Sequence, residues 1–373
     1  MLSEFGKFER VFVFVMDGVG IGEAPDAADY GDQGSHTLKH AMAGRKVLPT
    51  FYKLGLYNID GANMGVGNPE PIAAHMRLME VSKGKDTTTG HWELMGIELK
   101  EPFPTYPDGF PKDFMDELER RCGVGFLGNE AASGTEIIER LGKEHISTGK
   151  PIIYTSADSV LQLAAHTDIV PLERLYELCT IARKMSSVGR VIARPFVGEP
   201  GNFKRTSDRR DFSLDPPENA LDRLSAKGFE TVGVGKIEDI FNFRGLTQSY
   251  HTTSTASSME KAAQLADEAF SGLVFVNLID FDMHYGHRND VEGFADEMER
   301  LDKRFEDFMS HLKDGDCMMI TADHGCDPLT ESTDHSREYV PLLVYGKGIE
   351  PKNLGTKRSF AYVSKAVEAM LEA

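Results

Sequence analysis

Three short apolar runs do most to limit how this chain can fold: VFVFVM at 11–16, LVFV at 273–276 and CMMI at 317–320. Each is continuously apolar, largely β-branched or aromatic, and short. Each is therefore expected to be a strand covered on both faces, as in the parallel sheet of an α/β protein. An acidic residue follows each run: Asp17 directly, Asp323 and Asp282 within a few positions. In open α/β sheets, ligands bind beyond the carboxyl ends of the strands. The three carboxylates can therefore meet although long stretches of chain separate them.

Histidines accompany two of these acids. His324 adjoins Asp323, His287 follows Asp282 by five positions, and His335 lies further on. Hard carboxylates mixed with imidazoles suit divalent first-row metals. Five residues apart on an α-helix would put Asp282 and His287 on different faces, so a loop is expected to carry them, with another loop returning His335. Any one of these residues could be a turn acid, a helix cap or a satisfied histidine. Together they point to a metal site.

Charge and length narrow the class. A chain of 373 residues can form two domains with a large core. Its 41 Lys and Arg against 59 Asp and Glu leave a net charge of -18, which disfavours a general nucleic-acid or anionic-membrane binder. Residues 1–10 are polar, and the apolar run behind them is too short for a signal-peptide core. No stretch is long and apolar enough to be expected to span a bilayer. Cys122, Cys179, Cys317 and Cys326 show no CxxC pairing, so a reducing, cytoplasmic setting is expected.

Proline clusters at 101–109 (EPFPTYPDG) and 215–219 (DPPEN) stop helices and central strands from running through. The expected organisation is a core formed by 1–101 and 218–373, interrupted at 102–217 by a smaller inserted α/β cap. Helix or strand signals within the insert fall at 112–121, 135–141, 151–154 and 172–185. Its segment 190–210 sets Arg190, Arg194, Lys204, Arg205, Arg209 and Arg210 against only Glu199 and Asp208. Guanidinium forks match phosphate oxygens, so an anionic substrate held between cap and core is expected.

The segment KDTTTGHWE at 85–93 places three hydroxyls before a plausible helix, where backbone N–H groups favour a phosphate. It lacks the glycine and hydroxyl spacing of a P-loop. Locally a threonine helix cap explains it as well, and the residues alone do not choose among Thr87, Thr88 and Thr89.

Six motifs extend the reading: VMDGVGIGEAPD at 15–26, GKDTTTGHWE at 84–93, YTSADSVLQ at 154–162, RVIARPFVGEPGNF at 190–203, ADHGCDP at 322–328 and TDHSREYVPLL at 333–343. They span nearly the whole chain, which resembles the bacterial phosphopentomutases of the alkaline phosphatase superfamily. The resemblance implies an alkaline-phosphatase-like core, with a central, mostly parallel sheet flanked by helices. It implies one metal on Asp17, Asp323 and His324, and a second on Asp282, His287 and His335. The phosphorylated residue it implies is Thr87. Contacts to pentose and phosphate fall on Ser156, Asp158, Arg190 and Lys236.

The implied cofactors are two manganese ions, with other divalent metals possible, and a sugar bisphosphate activator. The implied partners are small pentose phosphates, with no nucleic acid and no membrane. The reaction would interconvert ribose 1-phosphate, or its 2-deoxy form, with the 5-phosphate through phosphothreonine and a bisphosphate intermediate. A related metal-dependent phosphatase or phosphoglycerate mutase is the nearest rival, and a non-enzymatic metal-binding protein the more distant one. Three positions depart from the family pattern: Gly18 where serine is commoner, Cys326 in place of asparagine, and the extra imidazole of His284.

Overall fold

The computed structural model describes residues 5–156 and 159–372. The chain divides into two compact units, Met1–Pro102 with Pro216–Ala373, and Phe103–Asp215.

The larger unit is built on an eight-stranded sheet. Its strands lie in the order Gln248–Tyr250, Glu230–Val234, Gly272–Leu278, Arg10–Met16, Asp316–Thr321, Val340–Gly346, Ala74–Met79 and Asn353–Arg358. Only Val340–Gly346 runs against its neighbours. The three apolar runs are the three adjacent central strands, paired parallel and buried at every position. Alternation along Arg10–Met16 turns Phe12 and Phe14 to one face. There they meet Phe305 and Phe308 edge-on, with ring centroids 4.8–5.4 Å apart. Those partners belong to the helix Val291–His311, whose buried Phe294, Met298, Leu301, Phe305 and Phe308 recur at helical spacing. Each buried phenylalanine contributes about 1.5–3 kcal/mol.

The smaller unit is a six-stranded sheet ordered Leu127–Ala131, Ile152–Thr155, Val160–His166, Arg190–Val197 and Lys204–Arg205, with Arg210–Ser213 also paired to Arg190–Val197. One face puts Leu161, Leu163, Val191 and Ala193 in a core with Leu175, Leu178 and Ala182 of the helix Leu172–Met185. The other puts Tyr154, Ala164 and Phe196 with Ile137 and Ile138 of the helix Gly134–Thr148. All four cysteines are buried free thiols. Among the described residues, no helix is long and apolar enough to cross a membrane.

A buried ion pair fastens the start of the central strand. Arg10 donates from Nε and Nη2 to both oxygens of Asp316, at 2.8 and 2.7 Å, and from its terminal nitrogens to the carbonyls of Leu265, Ala266 and Glu268. Both side chains are almost fully enclosed. Asp316→Ala would strand a buried guanidinium, and the expected loss is about 3–5 kcal/mol in urea unfolding. A change below about 1 kcal/mol would show that the carbonyls alone satisfy Arg10.

Candidate metal centre

Adjacent parallel strands deliver the donors. Asp17 follows Arg10–Met16, Asp323 follows Asp316–Thr321, and Asp282 follows Gly272–Leu278, so the three carboxylates share one sheet edge. Asp17, Asp323 and His324 offer ligand atoms all within 4.8 Å of one another, as do Asp282, His324 and His335. Asp282 and His287 form a third such group with Cys326. All six residues expected as metal ligands are thus gathered in the larger unit.

The loop expected for Asp282 and His287 is instead a π-turn, Phe281–Tyr285, running into the 3-10 turn Gly286–Arg288. A π-turn closes from i to i+5. That wider winding returns His287 to the side of Asp282, which an α-helix would not have done, and leaves Nε2 3.2 Å from Asp282 Oδ1.

Hydrogen bonds outside the cluster define which ring nitrogens face inward. His287 Nδ1 donates to the Thr333 carbonyl at 2.6 Å, and His324 Nδ1 lies 3.0 Å from the Gly325 carbonyl. A carbonyl only accepts, so Nδ1 carries a proton in both rings and Nε2 is the nitrogen turned inward. Asp282 Oδ1 then has the Nε2 atoms of both His287 and His335 at 3.2 Å. His324 Nε2 lies 3.4 Å from Asp17 Oδ1 and 3.3 Å from Asp323 Oδ2. Among the described residues, Asp282 Oδ1, Asp323 Oδ2 and His335 Nε2 are buried with no hydrogen-bond partner. Buried acceptors left unsatisfied and aimed at one another fit a cation between them. The donor set therefore fits divalent metals, with outer carbonyls orienting the imidazoles.

Electrostatics agree. Burial would raise the Asp17 carboxyl, but Lys236 and His324 outweigh it and hold it well below the usual carboxylate range. Burial and Asp17 push Asp282 upward, yet His335 and His324 keep it low. Burial would lower His324, but Asp323, Asp17 and Asp282 raise it far above an ordinary imidazole. Without a metal, the cluster therefore recruits a proton onto His324 to offset its carboxylates.

The geometry separates the three threonines. The cap of the helix Thr87–Leu94 is Asp86, not a threonine, and its carboxylate accepts from the N–H groups of Thr88 and Thr89. That carboxylate occupies the helix N-terminus, so two of the phosphate-attracting N–H groups expected there, those of Thr88 and Thr89, are already taken. Thr89 is buried and its hydroxyl donates to Asp86. Thr87 alone faces the cluster, with Oγ1 3.1 Å from His324 Nε2 and 3.5 Å from Asp17 Oδ1. Gly90 permits this approach, because a Cβ there would lie 2.1 Å from the Asp323 carbonyl oxygen.

Lys236 follows strand Glu230–Val234 and places Nζ 3.7 Å from Asp17 Oδ2, beside the metal candidates. Gly18 and Cys326 are neighbours. Gly18 has φ +82°, and a Cβ added to it would meet Cys326 Cβ at 3.1 Å. The Cys326 thiol is pushed well up by burial and by Asp282 and Asp17, so it stays protonated. His284 is half exposed, 3.9 Å from Asp280, and outside the cluster.

In the smaller unit, Asp158 lies outside the described residues. Ser156 follows strand Ile152–Thr155, and Arg190 opens Arg190–Val197 with Nη1 3.5 Å from Asp211. A feature not singled out from the sequence lies nearby in that sheet. Among the described residues the buried Tyr154 hydroxyl meets no hydrogen-bonding criterion, and it abuts Gly134, the first residue of the helix Gly134–Thr148, whose Ser133 side chain provides no cap. Arg205 also reaches Gly134. Arg194 donates through Nε to Gln162 at 3.0 Å. Burial, then Arg209 and Arg205, depress the Arg194 guanidinium. Guanidinium groups and a buried hydroxyl are thus brought together near the start of this helix. Tyr154 gave no sequence signal because its spacing is that of an ordinary core strand residue.

A sequence profile of the Metalloenzyme superfamily matches residues 9–372. The chain is 51% identical over 366 residues to a phosphopentomutase of Caldanaerobacter subterraneus subsp. tengcongensis, covering 96% of this chain and 93% of that one. It is 50% identical over 372 residues to a phosphopentomutase of Clostridium kluyveri, covering 98% and 96%. The solved phosphoglycerate mutase of Leishmania mexicana superposes with a TM-score of 0.51 at 12% identity, over 98% of this chain and 96% of that one, a likeness of fold.

Because the metal-free cluster holds a proton on His324, metal uptake must expel it. Manganese binding at neutral pH should release protons and weaken as pH falls. Calorimetry in two buffers of different ionisation enthalpy should give different apparent heats. Identical heats would remove His324 from the ligand set.

Proposed function

From the premise that this chain belongs to the phosphopentomutases of the Metalloenzyme superfamily, we propose that it interconverts ribose or 2-deoxyribose 1-phosphate with the corresponding 5-phosphate by way of phosphorylated Thr87. The observation that carries this reading is the position of Thr87 Oγ1, 3.1 Å from His324 Nε2 at the edge of the donor cluster. Asp17, Asp323 and His324 would hold one divalent metal, and Asp282, His287 and His335 a second, both read as manganese; when bound they supply positive charge against the transferred phosphoryl group.

Thr87 acts as the phosphoryl carrier. In the first half-reaction, the Thr87 Oγ–P bond breaks while an oxygen of the bound monophosphate sugar bonds to phosphorus and loses its proton. The product is a pentose bisphosphate. In the second half-reaction, its other phosphoryl group returns to Thr87 Oγ, and the freed sugar oxygen regains a proton. No phosphate is lost, so a sugar bisphosphate suffices to prime the enzyme. Lys236 adds fixed positive charge beside Asp17. The Thr87 helix adds less than an uncapped helix would, because Asp86 already takes two of its N–H groups.

The smaller unit is read as the substrate-binding element. Arg190 grips the phosphate that is not being transferred, with Ser156 and Asp158 on the pentose. Arg194, Arg205 and the Tyr154 hydroxyl extend the same anionic preference. A cytoplasmic setting belongs to this reading, supported by four buried unpaired thiols.

Thr87→Val keeps the shape of the side chain and removes its oxygen. Folding and metal content should persist while mutase turnover falls at least about a thousandfold. Intact mass after incubation with an activating sugar bisphosphate should show one added phosphoryl group on the wild type and none on the variant. A phosphate mapped to Thr88 or Thr89 would displace Thr87.

Arg190→Ala spares the metal donors and the carrier. Mutase turnover should fall about a hundredfold or more, and a larger share of events should end as free phosphate. The measurement is the ratio of ribose 5-phosphate formed to phosphate released. An unchanged ratio and rate would remove Arg190 from the substrate site.

A further inference from the structure

His91 and Asn277 are fully buried polar side chains that the reaction leaves unused. His91 lies one turn after Thr87 on the same helix, and its Nδ1 is 2.9 Å from the Thr87 carbonyl. Its Nε2 is 3.2 Å from Asn277 Nδ2, and the same amide nitrogen donates to Asp17 Oδ2 at 3.0 Å. Asn277 sits on strand Gly272–Leu278, directly across from Val15 of the strand that ends at Asp17.

These contacts assign the protons. The Thr87 carbonyl only accepts, so His91 Nδ1 carries hydrogen. Asp17 also accepts, so Asn277 must turn its amide nitrogen inward, and its second hydrogen then goes to an unprotonated His91 Nε2. The reverse orientation would set the Asn277 oxygen against the Asp17 carboxylate. In the orientation observed, Asn277 Oδ1 is buried without a partner among the described residues. The amide is therefore held for its donors at the expense of its acceptor. His91 Nδ1 also lies 3.0 Å from Asp323 Oδ2, so the ring adjoins one carboxylate of this donor group directly and reaches the other, Asp17, through Asn277.

We infer that His91 and Asn277 are positioning residues: a buried relay ties the main chain of Thr87 to the Asp17 carboxylate, setting carrier hydroxyl and metal donors at a fixed separation. The inference rests on the functional reading of Thr87 and Asp17. Its direct consequence, the orientation of Asp17, is measurable without turnover. Outer partners of metal-binding groups typically alter metal affinity by 10–100-fold. Because the relay is a chain, either break should release Asp17, and the second break should add little.

The test competes a chelator against the manganese-loaded full-length protein and counts metals retained, for wild type, His91→Leu, Asn277→Leu and the double variant. Each single variant should lose one of two metals at about tenfold lower chelator concentration, and the double variant should match the weaker single. The kcat should fall at least about tenfold with KM for ribose 1-phosphate nearly unchanged, because the relay touches no substrate. His91→Asn, whose amide nitrogen can stand in for Nδ1, should recover part of the kcat lost in His91→Leu. Unchanged metal retention in both singles, or multiplicative losses in the double variant, would overturn the relay. Failure of the leucine variants to fold shifts the decision to His91→Asn: folded with weakened retention of one metal supports the relay, and wild-type retention and kcat overturn it. An inactive wild type would count against the mutase reading and leave the metal-retention result to decide the relay.

Discussion

The larger unit is organised around one electrostatic demand: carboxylate oxygens and imidazole Nε2 atoms turned toward the same space. Asp282 Oδ1 faces two Nε2 atoms at 3.2 Å, and among the described residues it, Asp323 Oδ2 and His335 Nε2 are buried without hydrogen-bond partners. Such groups repel unless a cation joins them, and an isolated cluster of this kind would splay apart. Here three adjacent strands, buried on both faces, hold it in place. The apolar packing of Phe12 and Phe14 against Phe305 and Phe308 thus stabilises an arrangement that is unfavourable in itself.

A second layer gives the cluster its direction. Carbonyls of Thr333 and Gly325 fix which imidazole nitrogens look inward. Asp86 satisfies the start of the Thr87 helix, and Gly90 lets that helix close on Asp323. Gly18 and Cys326, two departures from the family pattern, occupy one contact: the positive φ at residue 18 and the nearness of Cys326 both favour a residue without a side chain there. The departures are therefore coupled by packing and leave the donor set intact.

Metal donors and a hydroxyl carrier do not by themselves choose a pentose phosphate, since the same parts serve phosphatases and other mutases. In the proposed mechanism, selectivity comes from the smaller unit, where Arg194 and Arg205 gather near a helix start beside the buried Tyr154 hydroxyl. An anion there would relieve the mutual repulsion of the guanidinium groups.

Much of this was legible from residue order alone. Hydrophobic runs buried on both faces read directly as central strands, because periodicity reports burial and burial is what the sheet demands. The acids that follow them read as members of one edge, and the long motifs identified the family. Other features depend on contacts across hundreds of residues. The five-residue spacing of Asp282 and His287 meant separation on an α-helix and proximity across the π-turn and the 3-10 turn that follows it. Which threonine faces the donor cluster depended on Asp86 taking the cap and on Gly90 allowing the helix to approach Asp323. The joining of His91 to Asp17 through Asn277 required a helix and two strands to assemble first. Local sequence determines which groups are present and which elements carry them; only tertiary packing brings distant donors and acceptors within hydrogen-bond range, and so decides their tautomers, charges and partners.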